Sequence, residues 1–99
     1  MSDYIGQFVR AAAGRDKGNI LCVVGMDNKT GRLLLADGKR RKIAHPKAKK
    51  LGHVTLLTGS QKRFDHPVAH SLQQGEPVSD RALRRALAAF KEGYSLGKR

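Results

Sequence analysis

Tryptophan is missing from this 99-residue chain, cysteine occurs once, and the aromatic residues are two tyrosines and three phenylalanines. A single cysteine, Cys22, excludes a disulfide within the chain. It stands inside an apolar run, where it reads as a small buried core residue and not as a reactive thiol. So few rings argue against stacking single-stranded bases across an aromatic sheet face. Acidic residues are also scarce, eight in all. No carboxylate pair, nucleophile motif or Walker-type phosphate loop can be assembled from the sequence, so no catalytic residues are assigned and no cofactor is implied. His66 and His70 have helical i, i+4 spacing, yet Pro67 lies between them and no cysteine pair joins them, so no metal site is assigned. No stretch approaches the ~20 apolar residues of a membrane span. Met1-Ser2-Asp3-Tyr4 lacks the cationic start and apolar run of a signal peptide. The expected location is cytoplasmic, with no membrane partner.

What the chain has in excess is positive charge. Twenty Lys and Arg against eight acids give a net charge of +12. Residues 39–63 carry nine cations and no acid, against five and four in residues 1–38 and six and four in residues 64–99. A solvated face interleaves its charges; a segment of one sign is the footprint of a polyanion-binding protein. Folded RNA, recognised through shape and backbone, fits such a chain best.

The apolar pattern is that of short strands separated by turns. Ile5–Ala13 reads as a first strand and Gly14-Arg15-Asp16-Lys17-Gly18 as a glycine-bracketed turn, at least one of whose glycines needs positive φ. Ile20–Met26 is a near-continuous apolar run, suited to a strand buried on both faces. Asp27–Gly31 is a turn and Arg32–Ala36 a third strand. Asp37-Gly38 reads as a tight two-residue hairpin leading into a fourth strand, Lys39–Ala44, which Pro46 ends. His45–Gly52 then forms a lysine-bearing loop before a last strand, His53–Leu57. The class is mainly β, a small and partly open barrel of about five strands.

Beyond it, the pattern changes. Thr58–Glu76 is polar, with one short helical turn expected near Val68–Gln73. Ser79 is a good N-cap, Asp80 suits a first turn, and Leu83, Ala86, Leu87 and Phe90 recur at helical spacing up to a plausible end at Gly93. The expected division is a barrel over residues 1–58, and a polar connection with a C-terminal amphipathic helix over 59–99. That helix docks its stripe on the barrel or on a partner. A chain ending near Thr58 is expected to keep its β fold.

Residues Ile5 to about Leu57 resemble a KOW domain. The likeness is carried by Gly6, Val9, Gly14–Gly18, Val23-Val24, Leu33–Ala36, Asp37-Gly38 and the basic run Lys39–Lys42, with Pro46-Lys47 and His53-Val54 falling where relatives place such pairs. It is closest to the large-subunit ribosomal KOW proteins of archaea and eukaryotes and to their small bacterial RNA-binding relatives. The transcription-factor branch commonly has another glycine where Ile20 and Leu21 stand here, which favours the ribosomal type. The resemblance implies an SH3-like small barrel, with the first loop and nearby basic residues meeting ribosomal RNA. That role is carried to Arg15, Lys17, Lys39, Arg40, Arg41 and Lys42. Lys47, Lys49 and Lys50, on the following loop, add general affinity. As a strand, Lys39–Lys42 would point Lys39 and Arg41 to one face and Arg40 and Lys42 to the other.

The function expected is therefore non-catalytic binding of structured ribosomal RNA by a ribosomal or ribosome-associated assembly protein. It would be monomeric outside the ribonucleoprotein, with ribosomal proteins as further partners through the C-terminal helix. The alternative is a protein-interaction module that docks a transcription or translation factor.

Overall fold

The computed structural model describes residues 4–58 and 66–97, the last five by backbone alone. Five short strands, β1 (Phe8–Ala11), β2 (Ile20–Met26), β3 (Leu33–Ala36), β4 (Lys47–Lys49) and β5 (Val54–Leu56), are followed by helices α1 (Pro67–Gln73) and α2 (Asp80–Gly97). The strands make one antiparallel sheet in the order β4-β3-β2-β1-β5. The chain meanders through four strands, and a 3-10 turn at Leu51–His53 then brings β5 back beside β1. Edge strands β4 and β5 are not paired with each other, so the sheet is not closed. Among the described residues no helix is long and apolar enough to cross a membrane.

Register explains why β2 is apolar almost throughout. Phe8 pairs with Cys22 and Cys22 with Ala36, so these three residues share one face of the sheet. Val9, Leu21, Val23 and Leu35 alternate with them and share the other. Between Val23 and Gly25 a bulge admits Val24 as an extra residue and shifts the pairing with β3. Both faces are covered. Val9, Ala11, Leu21, Val23, Leu33 and Leu35 form one buried cluster, with Tyr4, Ile5, Met26 and Val54 against it. Phe8, Cys22 and Ala36 form the second with Leu83, Ala86, Leu87 and Phe90 of α2 and Val68 of α1.

The amphipathic stripe of α2 is thus occupied by the sheet. Leu83 and Ala86 are fully buried and Phe90 is 6% exposed. Phe8 and Phe90 meet edge to face with centroids 4.8 Å apart, a favoured aromatic geometry. Ser79 caps α2 as its sequence predicts, its Oγ accepting from the Ala82 amide at 3.0 Å. The helix continues past Gly93 to Gly97, because a lone glycine costs a helix only about 1 kcal/mol. In α1, the expected short turn is a seven-residue helix whose N-cap is His66, with Nδ1 accepting from the Val68 amide. Residues 59–65 of the polar connection lie outside the described residues.

One sequence expectation is corrected by the structure. The fourth strand is Lys47–Lys49 and not Lys39–Ala44, which forms a bent loop. The reason is local: Asp37 Oδ1 accepts from the amides of both Lys39 and Arg41, and those donors are lost to any ladder. Pro46 therefore precedes β4 instead of ending it. Sheet and C-terminal helix share one core, and Thr58 itself is buried with its hydroxyl accepting from the Phe8 amide at 2.9 Å. The expected division at residue 58 falls between the strands and the helices that pack on them.

Cys22 is fully buried, and burial pushes its thiol pKa far above the ordinary value near 9. Below that value the thiol is protonated in folded and unfolded chains alike, and contributes nothing to pH dependence. Above it the unfolded chain ionises while the folded one does not, so stability falls as pH rises, by up to about 1.4 kcal/mol per pH unit from this group. The parent is expected to lose more stability than Cys22→Ala between pH 9 and 10, measured by denaturant unfolding. Iodoacetamide should label Cys22 no faster than the chain unfolds; rapid labelling of the native protein would refute the burial.

Candidate nucleic-acid interface

The loop between β1 and β2 is shaped by its two glycines. Gly14 and Gly18 have φ of 81° and 90°, left-handed values that only glycine adopts at little cost. Gly18 N donates to Ala11 O and Ala11 N to Asn19 O, closing the loop at its base. Between the glycines, Asp16 turns inward and is 5% exposed, while Arg15 and Lys17 on either side of it are exposed. Asp16 Oδ2 accepts from Arg41 Nη2 at 3.1 Å. An aspartate in the first loop therefore fastens the basic segment, 25 residues later in the chain.

The segment 37–42 is held on its other side by α2. Asp80 Oδ1 accepts from the Ile43 amide at 2.8 Å, and Arg84 Nη1 donates to Gly38 O at 2.6 Å. Gly38 has φ 78°, and a Cβ there would lie 2.3 Å from the Asp80 carbonyl oxygen, so the helix start sits directly on its backbone. Asp37 N and Gly38 N both donate to Arg41 O. The loop is consequently tied at both ends. Lys39, Arg40 and Lys42 project from it exposed, whereas Arg41 is half-buried against Asp16. The two-and-two alternation expected of a strand gives way to three cations outward and one inward.

Lys49 also departs from expectation. β4 pairs Lys49 with Leu33 and Lys47 with Leu35, yet only Lys49 is buried. Lys49 is 8% exposed, and its Nζ donates to the Ala13 carbonyl at 2.7 Å. The aliphatic stem crosses apolar surface while the ammonium finds an acceptor beyond it. A Cβ on Gly14 would lie 2.8 Å from that nitrogen, so Lys49 also packs against the first loop. Lys47 and Lys50 are exposed.

The structure thus brings the first loop, the 37–42 loop and the end of β4 together, with Asp16–Arg41 and Lys49–Ala13 as the ties. Of the nine cations singled out in the sequence, Arg15, Lys17, Lys39, Arg40, Lys42, Lys47 and Lys50 are outward, and Arg41 and Lys49 hold the fold. Two further cations join them from α2. A cleft of about 280 Å³ is lined by Asn19, Lys39, Arg40 and Lys91 among others, and an adjoining one of about 270 Å³ by Lys39, Arg84 and Lys91. The sequence carries a signal for this pair: Arg84 and Lys91 are seven residues apart, two turns along one helix face, beside the buried stripe. What the sequence does not show is that this flank faces the basic loop.

Acids also shape this surface. Asp16, Asp37 and Asp80 each accept hydrogen bonds that shape the loops, and Asp27 does the same for the turn after β2 through the amides of Lys29 and Thr30. Three of these carboxylates accept from backbone amides and Asp16 from the Arg41 side chain. The result is a pre-ordered array of Lys and Arg, able to meet regularly spaced phosphates without first paying to order its own loop. No protein-family model matches this chain and no curated protein is significantly similar to it, so the chemistry of the interface rests on these residues themselves.

Proposed function

We propose that this chain is a non-catalytic RNA-binding protein, contacting structured RNA through the surface formed by the first loop, the 37–42 loop and the adjoining end of β4. The observation that carries the reading is the Asp16–Arg41 tie. It joins two cation-bearing loops and leaves Arg15, Lys17, Lys39, Arg40 and Lys42 exposed while the neighbouring carboxylates shape the backbone. Arg supplies bidentate phosphate contacts and Lys point charges. The protein-docking alternative loses its main support, since the stripe Leu83, Leu87 and Phe90 is covered by the chain's own sheet.

An SH3-like KOW barrel is the finer fold reading. It is supported by the 3-10 turn that joins β4 to β5, by β5 pairing with β1, and by the Lys49 ammonium of edge strand β4 reaching Ala13 just beyond β1. The ribosomal assignment extends that reading: ribosomal RNA is the structured RNA, and the protein works in the cytoplasm as a subunit or an assembly factor.

RNA titrations at several salt concentrations test the function directly. With about four to six phosphates contacted, log K should fall against log salt with a slope of about −3 to −5, and a flat response would sink the assignment. Changing Arg15 and Lys17 together to Ala should weaken binding and reduce that slope, while thermal unfolding stays within roughly 0.5 kcal/mol of the parent, as for ordinary surface positions. Unaltered RNA affinity in that variant would make the loop a turn only.

A further inference from the structure

One group does not suit a surface that merely holds phosphate. Asp37 lines both clefts between the 37–42 loop and α2, in company with Lys39 and Lys91. A carboxylate repels phosphate, so its place in this groove needs another reason. Its structural role occupies one oxygen: the Lys39 and Arg41 amides both fall on Oδ1. Oδ2 makes no hydrogen bond among the described residues. Asn19, exposed at the base of the first loop, lines the same cleft with its carboxamide likewise unengaged among the described residues. Ile20 adds apolar wall there, and Leu87 and Ala88 add it to the adjoining cleft.

The dimensions and chemistry select a ligand. At about 280 Å³ the cleft is slightly smaller than the ~300 Å³ at which ligand pockets start. That is room for one planar base. Sequence-specific RNA recognition works on such unpaired bases, hydrogen-bonding their Watson–Crick edges and stacking their faces on aromatic rings or guanidinium planes. An acceptor-only carboxylate oxygen calls for a donor edge, and an amide can serve a neighbouring acceptor. Guanine presents N1–H and the 2-amino group side by side next to the O6 acceptor. Adenine and cytosine offer one amino group beside an acceptor, and uracil a single N–H between two carbonyls.

We propose that this groove takes one unpaired guanosine of an RNA: its donor edge meets Asp37, O6 meets the Asn19 amide, the base face lies against the Arg40 guanidinium, and the adjoining phosphate pairs with Lys39 and Lys91. The inference rests on the RNA-binding reading and adds base selectivity to it.

The test is a calorimetric titration of the protein with an RNA hairpin carrying one unpaired guanosine, and with the same hairpin carrying inosine, adenosine or uridine there. Free guanosine 5′-monophosphate is a separate arm. Inosine lacks only the 2-amino group, and the guanosine hairpin should bind roughly tenfold tighter than the inosine one. Asp37→Asn retains Oδ1 for the two loop amides and places an N–H2 where Oδ2 was. It should bring the guanosine-to-inosine ratio to about one, even though losing a negative charge raises affinity for every RNA. Lys91→Gln should weaken all hairpins alike and reduce the salt slope by about one. Equal binding of all four hairpins with a normal salt slope overturns the guanosine site and leaves the RNA-binding function standing. Absence of RNA binding at low salt overturns both. Free nucleotide binding as tightly as the hairpin overturns RNA as the source of the guanosine. Should Asp37→Asn fail to fold, the guanosine-to-inosine ratio of the unaltered protein still decides.

Discussion

Ending the chain at Thr58 is expected to abolish the cooperative thermal transition and to leave a poorly dispersed amide spectrum, because such a chain exposes one whole face of its sheet. Phe8, Cys22 and Ala36 are fully buried, and their covering atoms come from Leu83, Ala86, Leu87 and Phe90. A 58-residue remnant is also at the size where burial barely offsets conformational entropy, so losing half of its core partners is decisive. The same contact can be tested gently. Phe90→Ala removes a ring that meets Phe8 at 4.8 Å and should cost about 3–5 kcal/mol in the full chain, read from urea unfolding. A truncated chain that shows a native-like spectrum, together with a Phe90→Ala cost below about 1 kcal/mol, would restore the barrel as an independent unit.

Gly38→Ala should produce the second large loss, and it links stability to binding. The residue has φ 78°, where a Cβ costs about 1–2 kcal/mol. Here that Cβ would also stand 2.3 Å from the Asp80 carbonyl oxygen, a backbone atom that cannot rotate away. Overpacking of this kind adds about 1–3 kcal/mol. The expected total is about 2–5 kcal/mol, with a shifted 37–42 loop and weaker RNA binding. Gly18→Ala is the matched control: φ is 90°, but nothing lies within 4 Å of the added carbon. It should cost only the conformational share. Equal losses at the two positions would show that α2 does not press on the loop.

These results follow from contacts between residues far apart in the chain, and that is where sequence reading reached its limit. Arg41 looks like any other member of a basic run, and only Asp16, 25 residues earlier, turns it inward. Lys49 reads as one of three loop lysines, yet it lies opposite Leu33 in β4 and reaches Ala13. A three-residue strand of Lys-Ala-Lys has no apolar alternation to reveal it. Asp37-Gly38 fits a two-residue hairpin as well as the loop that the Asp37 side chain closes, and Asp80 and Arg84 hold that loop in place from α2.

What the sequence determined alone is everything governed by neighbours within a turn or two. The apolar runs marked β2 and β3, the Ser79 cap and the 83–90 stripe marked α2, the bracketing glycines marked left-handed backbone, and the lone cysteine in a hydrophobic run marked a buried thiol. Composition also established the concentration of positive charge. Tertiary structure decided which lysines and arginines face outward, where the fourth strand lies, and that sheet and helix share one core. The physical reason is one of range. Periodicity, capping and φ preference act between residues close in sequence, whereas a buried ammonium or guanidinium is stable only where folding delivers an acceptor, and no local pattern announces which acceptor that will be.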